Sequence, residues 1–150
     1  MAKKDIDWGN LTFSYQPTDK RFVANYKDGK WDEGQLTTDA NITMNECACV
    51  LQYAQSCFEG LKAYTTADGK IVCFRPDLNA VRMEDSARRL KMPPFSAERF
   101  LDAIKQVVKA NAQWVPPTVP ALPCTSVLTC SVSTPSSASS PLRSISSAPS

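Results

Sequence analysis

The composition of the chain changes at Pro117, and no other feature limits so strongly what it can fold into. From Thr118 to Ser150, 20 of 33 residues are Ser, Thr or Pro, Arg143 is the one charged residue, and neither glycine nor an aromatic ring occurs. Such a segment carries too little apolar side chain to offset the entropy of ordering it, so residues 118–150 are expected to be a disordered tail. The core must then come from residues 1–117, enough for one small domain and little for a complete enzyme.

Charge and cysteine usage narrow the chemistry. The 17 basic and 15 acidic residues are interspersed, for a net charge of +2, with no basic stripe interleaved with aromatics, so no nucleic-acid partner is expected. The opening "MAKKDIDWGN" turns polar where a signal peptide would become apolar, and no run approaches the roughly 18 apolar residues that span a bilayer; a soluble, cytoplasmic protein without a membrane partner is expected. Six cysteines (Cys47, Cys49, Cys57, Cys73, Cys124 and Cys130) form no CxxC pair, and the chain has no histidine, so no metal site is expected. Neighbourhoods such as "ACVL" and "IVCF" instead predict small buried hydrophobes in a reducing compartment. Without histidine there is no Ser-His or Cys-His machinery, which leaves lysine, carboxylate or a cofactor to move protons.

Local patterns predict an α+β domain. Residues 11–15 ("LTFSY") and 21–26 ("RFVANY") are short β-prone runs, and "KDGKW" carries an Asp-Gly turn signal, together an N-terminal hairpin or meander. "NECACVLQYAQSCFEG" predicts a short buried helix leading into an irregular turn. "GLKAYTTADGKIVCFRP" is the clearest hairpin, with two β-prone runs flanking "ADGK". Pro76 opens a helix with Asp77 at its positive end, an apolar face of Leu78, Val81, Met83, Ala87 and Leu90, and a stop at Pro93 and Pro94. Ser96 caps a second helix that buries Phe100, Ile104, Val107, Val108 and Trp114. The expected architecture is one sheet with helices packed against it, short of closure.

Taken singly, the motifs that could carry chemistry are modest. Read alone, "SCFEGLKAY" is a bend into a hairpin and "RMEDSARR" a solvated helix face. Together, "LQYAQSCFEGLKAY", "IVCFRPDLNAVRM" and "EDSARRLKMP", in this order and spacing, closely resemble the branched-chain amino acid aminotransferases, pyridoxal-phosphate enzymes of class IV (fold type IV). The resemblance covers roughly residues 5–117 and implies the small N-terminal domain of a two-domain subunit. It implies transfer of the amino group of leucine, isoleucine or valine to 2-oxoglutarate, with pyridoxal 5′-phosphate as cofactor, in a homodimer. Arg82 falls on the family's cofactor-phosphate arginine, whose fixed fork suits a phosphate dianion. Phe58 falls on a substrate-pocket aromatic, and Tyr53 on a tyrosine that reaches into the neighbouring subunit's pocket. Gln52 stands where many relatives have histidine. The family's catalytic lysine lies downstream in the larger domain; no lysine here occupies a matching motif, so no catalytic residue is assigned and the chain alone is expected to be inactive. Two alternatives stay open: a non-catalytic dimerisation module, and a fragment of a related class IV enzyme, a D-amino acid aminotransferase or an aminodeoxychorismate lyase.

The tail has a further reading. Permitted codons for "TVPALPCTSVLTCS", read with one nucleotide added in front, spell Tyr-Gly-Ser-Gly-Ala-Thr-Leu-Tyr-Leu-Arg-Pro-Tyr-Met-Phe, which resembles the family's continuation after "WVPP". A one-base frame change at the codon after Pro117 is therefore expected, in preference to a natural Ser/Thr/Pro linker. Resequencing the coding DNA decides between the two.

Overall fold

The computed structural model describes residues 3–5, 7 and 17–117. The predicted run at 11–15, the tail at 118–150, its frame change, Cys124 and Cys130 lie outside them. The described residues form a small mixed assembly: strands β1 (Arg21–Val23), β2 (Tyr26–Lys27), β3 (Lys30–Trp31) and β4 (Gln35–Thr37), helix α1 (Cys49–Tyr53), strands β5 (Ala63–Thr65) and β6 (Ile71–Cys73), helices α2 (Pro76–Arg89) and α3 (Ala97–Ala110), and a 3₁₀ turn at Ala112–Trp114.

The N-terminal strands make one long antiparallel hairpin with a break in the middle. Phe22 pairs with Leu36 in the outer ladder and Tyr26 with Trp31 in the inner one. Asp28 and Gly29 turn it at φ 51° and 82°, both in the left-handed region that a two-residue hairpin loop requires. Between the ladders, the Asp32 carboxylate accepts from the Asn25 amide at 3.0 Å and from the Asn25 side chain at 2.9 Å, so the gap is bridged. Gly34 adopts φ 75°, where a side chain would be strained, and a Cβ there would stand 2.2 Å from the Phe22 ring and force it aside. The second predicted hairpin is present as β5–β6, with Ala63 opposite Cys73 and Thr65 opposite Ile71.

The expected single sheet is not formed among the described residues, which hold three separate two-stranded ladders. With strands of two or three residues, each hairpin satisfies its hydrogen bonds against its own return strand, and the layers are joined by side chains. Trp31 makes the main joint. Its ring meets Tyr26 and Phe95 edge-on at 5.3 and 5.0 Å, and its Nε1 donates to the Pro94 carbonyl at 3.0 Å.

The two long helices pack on one another and close the core of Cys57, Leu61, Ala80, Met83, Ala87, Met92, Phe95, Phe100 and Ile104. Proline in the first turn of α2 and the Ser96 cap on α3, whose Oγ accepts from the Arg99 amide, match expectation. The stop of α2 comes earlier than its prolines. Lys91 adopts φ 56°, its amide donates to the Arg88 carbonyl and that of Met92 to the Ala87 carbonyl, the paired bonds of a Schellman ending with lysine in the usual glycine place. Asn111 is fully buried at the end of α3, where its side chain donates to the carbonyls of Lys20 and Val107 and accepts from the Lys20 amide.

Three burial expectations fail. Leu78, Val81 and Leu90 of α2 are exposed, since the stripe facing α3 is Ala80, Met83 and Ala87. In α3 the buried stripe is Phe100, Ala103 and Ile104, while Val107, Val108 and Trp114 are only half-buried. The predicted buried helix is real but buries none of its residues, because α1 is a single turn with nothing packed over Leu51 or Tyr53 among the described residues. Of the four described cysteines, all free, Cys57 alone is buried; Cys49 and Cys73 are half-buried and Cys47 is exposed.

Candidate functional site

The site is built where an irregular strap, residues 54–60, lies against α2. Ala54 ends α1 in the left-handed region (φ 50°) and turns the chain toward the helix. From there the strap runs antiparallel to α2. The Gln55 side chain donates through Nε2 to the Leu90 carbonyl at 2.7 Å, Cys57 Sγ sits 3.2 Å from Met83 Sδ, and Glu59 and Gly60 meet Arg82 and Asn79.

At the C-terminal end of the strap, Glu59 is 5% exposed and receives three hydrogen bonds on its carboxylate. Arg82 Nε donates to Oε1 and Arg82 Nη2 to Oε2, both at 2.5 Å, and Asn79 Nδ2 donates to Oε2 at 2.9 Å. The second Asn79 Nδ2 hydrogen goes to the Gly60 carbonyl at 3.0 Å. Asn79 and Arg82 stand three residues apart on α2, so both address the same point on the strap. The Arg82 hydrogen bonds hold the Glu59 carboxyl below the usual carboxylate range, against the opposing effect of burial, and Asn79 adds to the lowering. The same contact raises the Arg82 guanidinium. The pair is graded in depth: the Glu59 side chain is 6% exposed and that of Arg82 63%.

The predicted site residues are distributed around this pair. Arg82 is at its centre. Phe58 immediately precedes Glu59, is mostly exposed, and its ring lies over the Cα of Gly60, 3.6 Å from where a Cβ would stand. Leu78, one helical turn before Arg82, adds a second exposed apolar side chain. Tyr53, the last residue of α1, is separated from Phe58 by the first half of the strap and is the most exposed of the three. Gln52 has a local task, its side chain donating to the Glu46 carbonyl at 2.8 Å. Glu59 and Asn79 were not anticipated from the sequence, although the three-residue spacing of Asn79 and Arg82 is a readable sign of a shared partner.

The arrangement is a surface. A hollow of about 620 Å³ between β6 and α3 is lined by Ile71, Cys73, Leu101, Ile104 and Val108, and one of about 450 Å³ by Phe22, Glu33, Glu98, Arg99 and Asp102; neither includes Arg82, Phe58 or Tyr53. Among the described residues no cluster of metal-ligating side chains occurs, and no helix is long and apolar enough to cross a membrane. Chemically, the surface offers a partly committed guanidinium edge beside exposed apolar side chains, suited to an anion attached to an apolar body.

No family model matches the chain. Individual proteins do. A branched-chain-amino-acid aminotransferase of Haemophilus influenzae is 56% identical over 114 residues, which are 76% of this chain and 33% of that protein. One from Helicobacter pylori is 48% identical over 114 residues, 76% of this chain and 34% of its own length. A methionine aminotransferase of Arabidopsis thaliana is 46% identical over 114 residues, 75% of this chain and 32% of its own. The chain thus spans about a third of the length of the curated relatives it matches.

Proposed function

We propose that this chain, a homologue of branched-chain aminotransferases over about three quarters of its own length, contributes to such an enzyme the small domain that grips the cofactor's phosphate. In this reading residues 1–117 are the partial class IV domain and residues 118–150 a separate tail. The reaction it serves moves the amino group of leucine, isoleucine or valine to 2-oxoglutarate in the cytoplasm, within a homodimer. The supporting observation is the Arg82 edge, turned to solvent by a buried partner and bordered by Phe58 and Leu78.

Pyridoxal 5′-phosphate fits the donors present. A guanidinium has five N–H groups, and Glu59 engages the Nε and Nη2 atoms, so the outer edge can still accept a dianion with charge-assisted hydrogen bonds. When bound, the cofactor supplies the electron sink for amino-group transfer. Arg82 would hold its phosphate, Phe58 would line the space for an aliphatic side chain, and Tyr53 would extend toward a neighbouring subunit. The kinship with a methionine aminotransferase at nearly the same identity as with a branched-chain enzyme supports placing the choice of substrate outside the shared segment.

The test uses ligands without an aldehyde, so that surface lysines cannot react. Pyridoxine 5′-phosphate should bind the chain more tightly than pyridoxine, by equilibrium dialysis, and Arg82→Ala should abolish the difference. Equal retention of the two by the unaltered chain would refute the assignment. A second reading, a dimerisation module without catalysis, is favoured by the exposed Leu51, Tyr53, Phe58, Phe74 and Leu78; sedimentation of the chain with and without an intact relative tests it.

A further inference from the structure

We infer that Glu59, with Asn79, is a positioning pair that presents the outer edge of the Arg82 guanidinium to a phosphate group. The inference rests on the reading of Arg82 as the phosphate ligand and adds how that ligand is held. Glu59 takes the Nε–H and one Nη2–H of Arg82, which leaves both Nη1 hydrogens and the second Nη2 hydrogen on the side away from the carboxylate. Depth fixes which side that is, because the carboxylate is buried and the guanidinium is not.

The carboxylate itself cannot turn. Asn79 bonds its Oε2 and spends its remaining hydrogen on the Gly60 carbonyl, so helix, carboxylate and strap backbone form one closed set of hydrogen bonds. An arginine on an exposed helix face otherwise samples many rotamers, and each would have to be given up on binding. Here the plane of the fork is chosen before the anion arrives.

Glu59 also places a negative charge near the anion, which opposes binding. The two effects have opposite signs, and orientation should win. At a distance the charges of Glu59 and Arg82 cancel, so an incoming phosphate gains mainly from direct, well-aimed hydrogen bonds rather than from net charge. Glu59 is thus a positioning residue, and removing it should weaken binding even though the site becomes more positive.

The experiment is a titration of the full-length ¹⁵N-labelled chain with inorganic phosphate at fixed pH and ionic strength, following the Arg82 Nε–Hε signal and the backbone amides. Glu59→Ala should bind about tenfold more weakly, the scale of one charge-assisted hydrogen bond. Glu59→Gln, which keeps one acceptor, should fall between that variant and the unaltered chain. Asn79→Ala leaves the net charge unchanged and should still weaken binding several-fold, so it carries the test if Glu59→Ala does not fold. Tighter or unchanged binding in folded Glu59→Gln and Asn79→Ala would overturn the positioning role alone. If phosphate fails to shift the Arg82 signal, or Arg82→Lys binds as well as the unaltered chain, the reading of Arg82 falls, and this inference with it.

Discussion

Helix α2 has two faces of similar apolar composition and opposite fates. Ala80, Met83 and Ala87 are sealed between α3 and the strap, whereas Leu78 and Val81 are each about half exposed and flank Arg82. The same contrast holds for its ion pairs. Arg88 meets Glu84 one turn away on the same helix, a local contact of the kind that contributes little. Arg82 reaches a buried carboxylate 23 residues earlier in the chain. The difference teaches that one helix can serve as a wall of the core and as a platform for an outward-facing ion pair, provided the strap anchors both sets of contacts.

The contrast can be broken hardest from the inside. Met83→Ala should cost about 2–5 kcal/mol, because it removes the fully buried side chain that contacts Cys57 and leaves a cavity between helix and strap. Chemical denaturation with an unchanged slope checks it.

Acid should loosen the platform side selectively. The carboxyl of Glu59 is lowered in the folded chain, so its contribution is fully present above its unfolded pKa of about 4.3 and is lost as pH falls through the lowered folded value. Melting curves from pH 7 to pH 3 should show a steeper loss for the unaltered chain than for Glu59→Gln, and parallel curves would contradict the pair's role.

Smaller effects sharpen the boundary between the faces. Ser96→Ala removes the one side-chain cap of α3 and should cost about 1 kcal/mol. Lys91→Gly relieves a left-handed residue at the end of α2 and should stabilise by about 0.5–1 kcal/mol, seen as a higher Tm. Leu78→Ser, on the outer face, should change stability by no more than about 0.5 kcal/mol while reducing self-association in sedimentation.

How much of this was legible follows from the range of each interaction. The Asp28–Gly29 turn, the hairpin around Gly69, the proline start of α2 and the Ser96 cap are decided within about four residues, and each was read correctly from the sequence. The outward-facing Leu78, Val81 and Leu90 were misread because helical periodicity reports an apolar arc and says nothing about which part of it a neighbour will cover. The resemblance supplied Arg82, Phe58 and Tyr53 as site residues. It did not supply Glu59 or Asn79, since nothing local links a carboxylate on an irregular segment to a helix 20 residues later.

By itself, then, the sequence determined the turns, the caps, the helix starts and the compositional break at Pro117, because backbone sterics, capping and chain entropy act over short stretches. Only the tertiary structure decided which face of α2 is core, that the hairpins stay separate ladders, and that the strap places a buried Glu59 beneath Arg82. Those outcomes depend on desolvation and on packing between distant segments, whose cost and gain exist only once the surfaces meet.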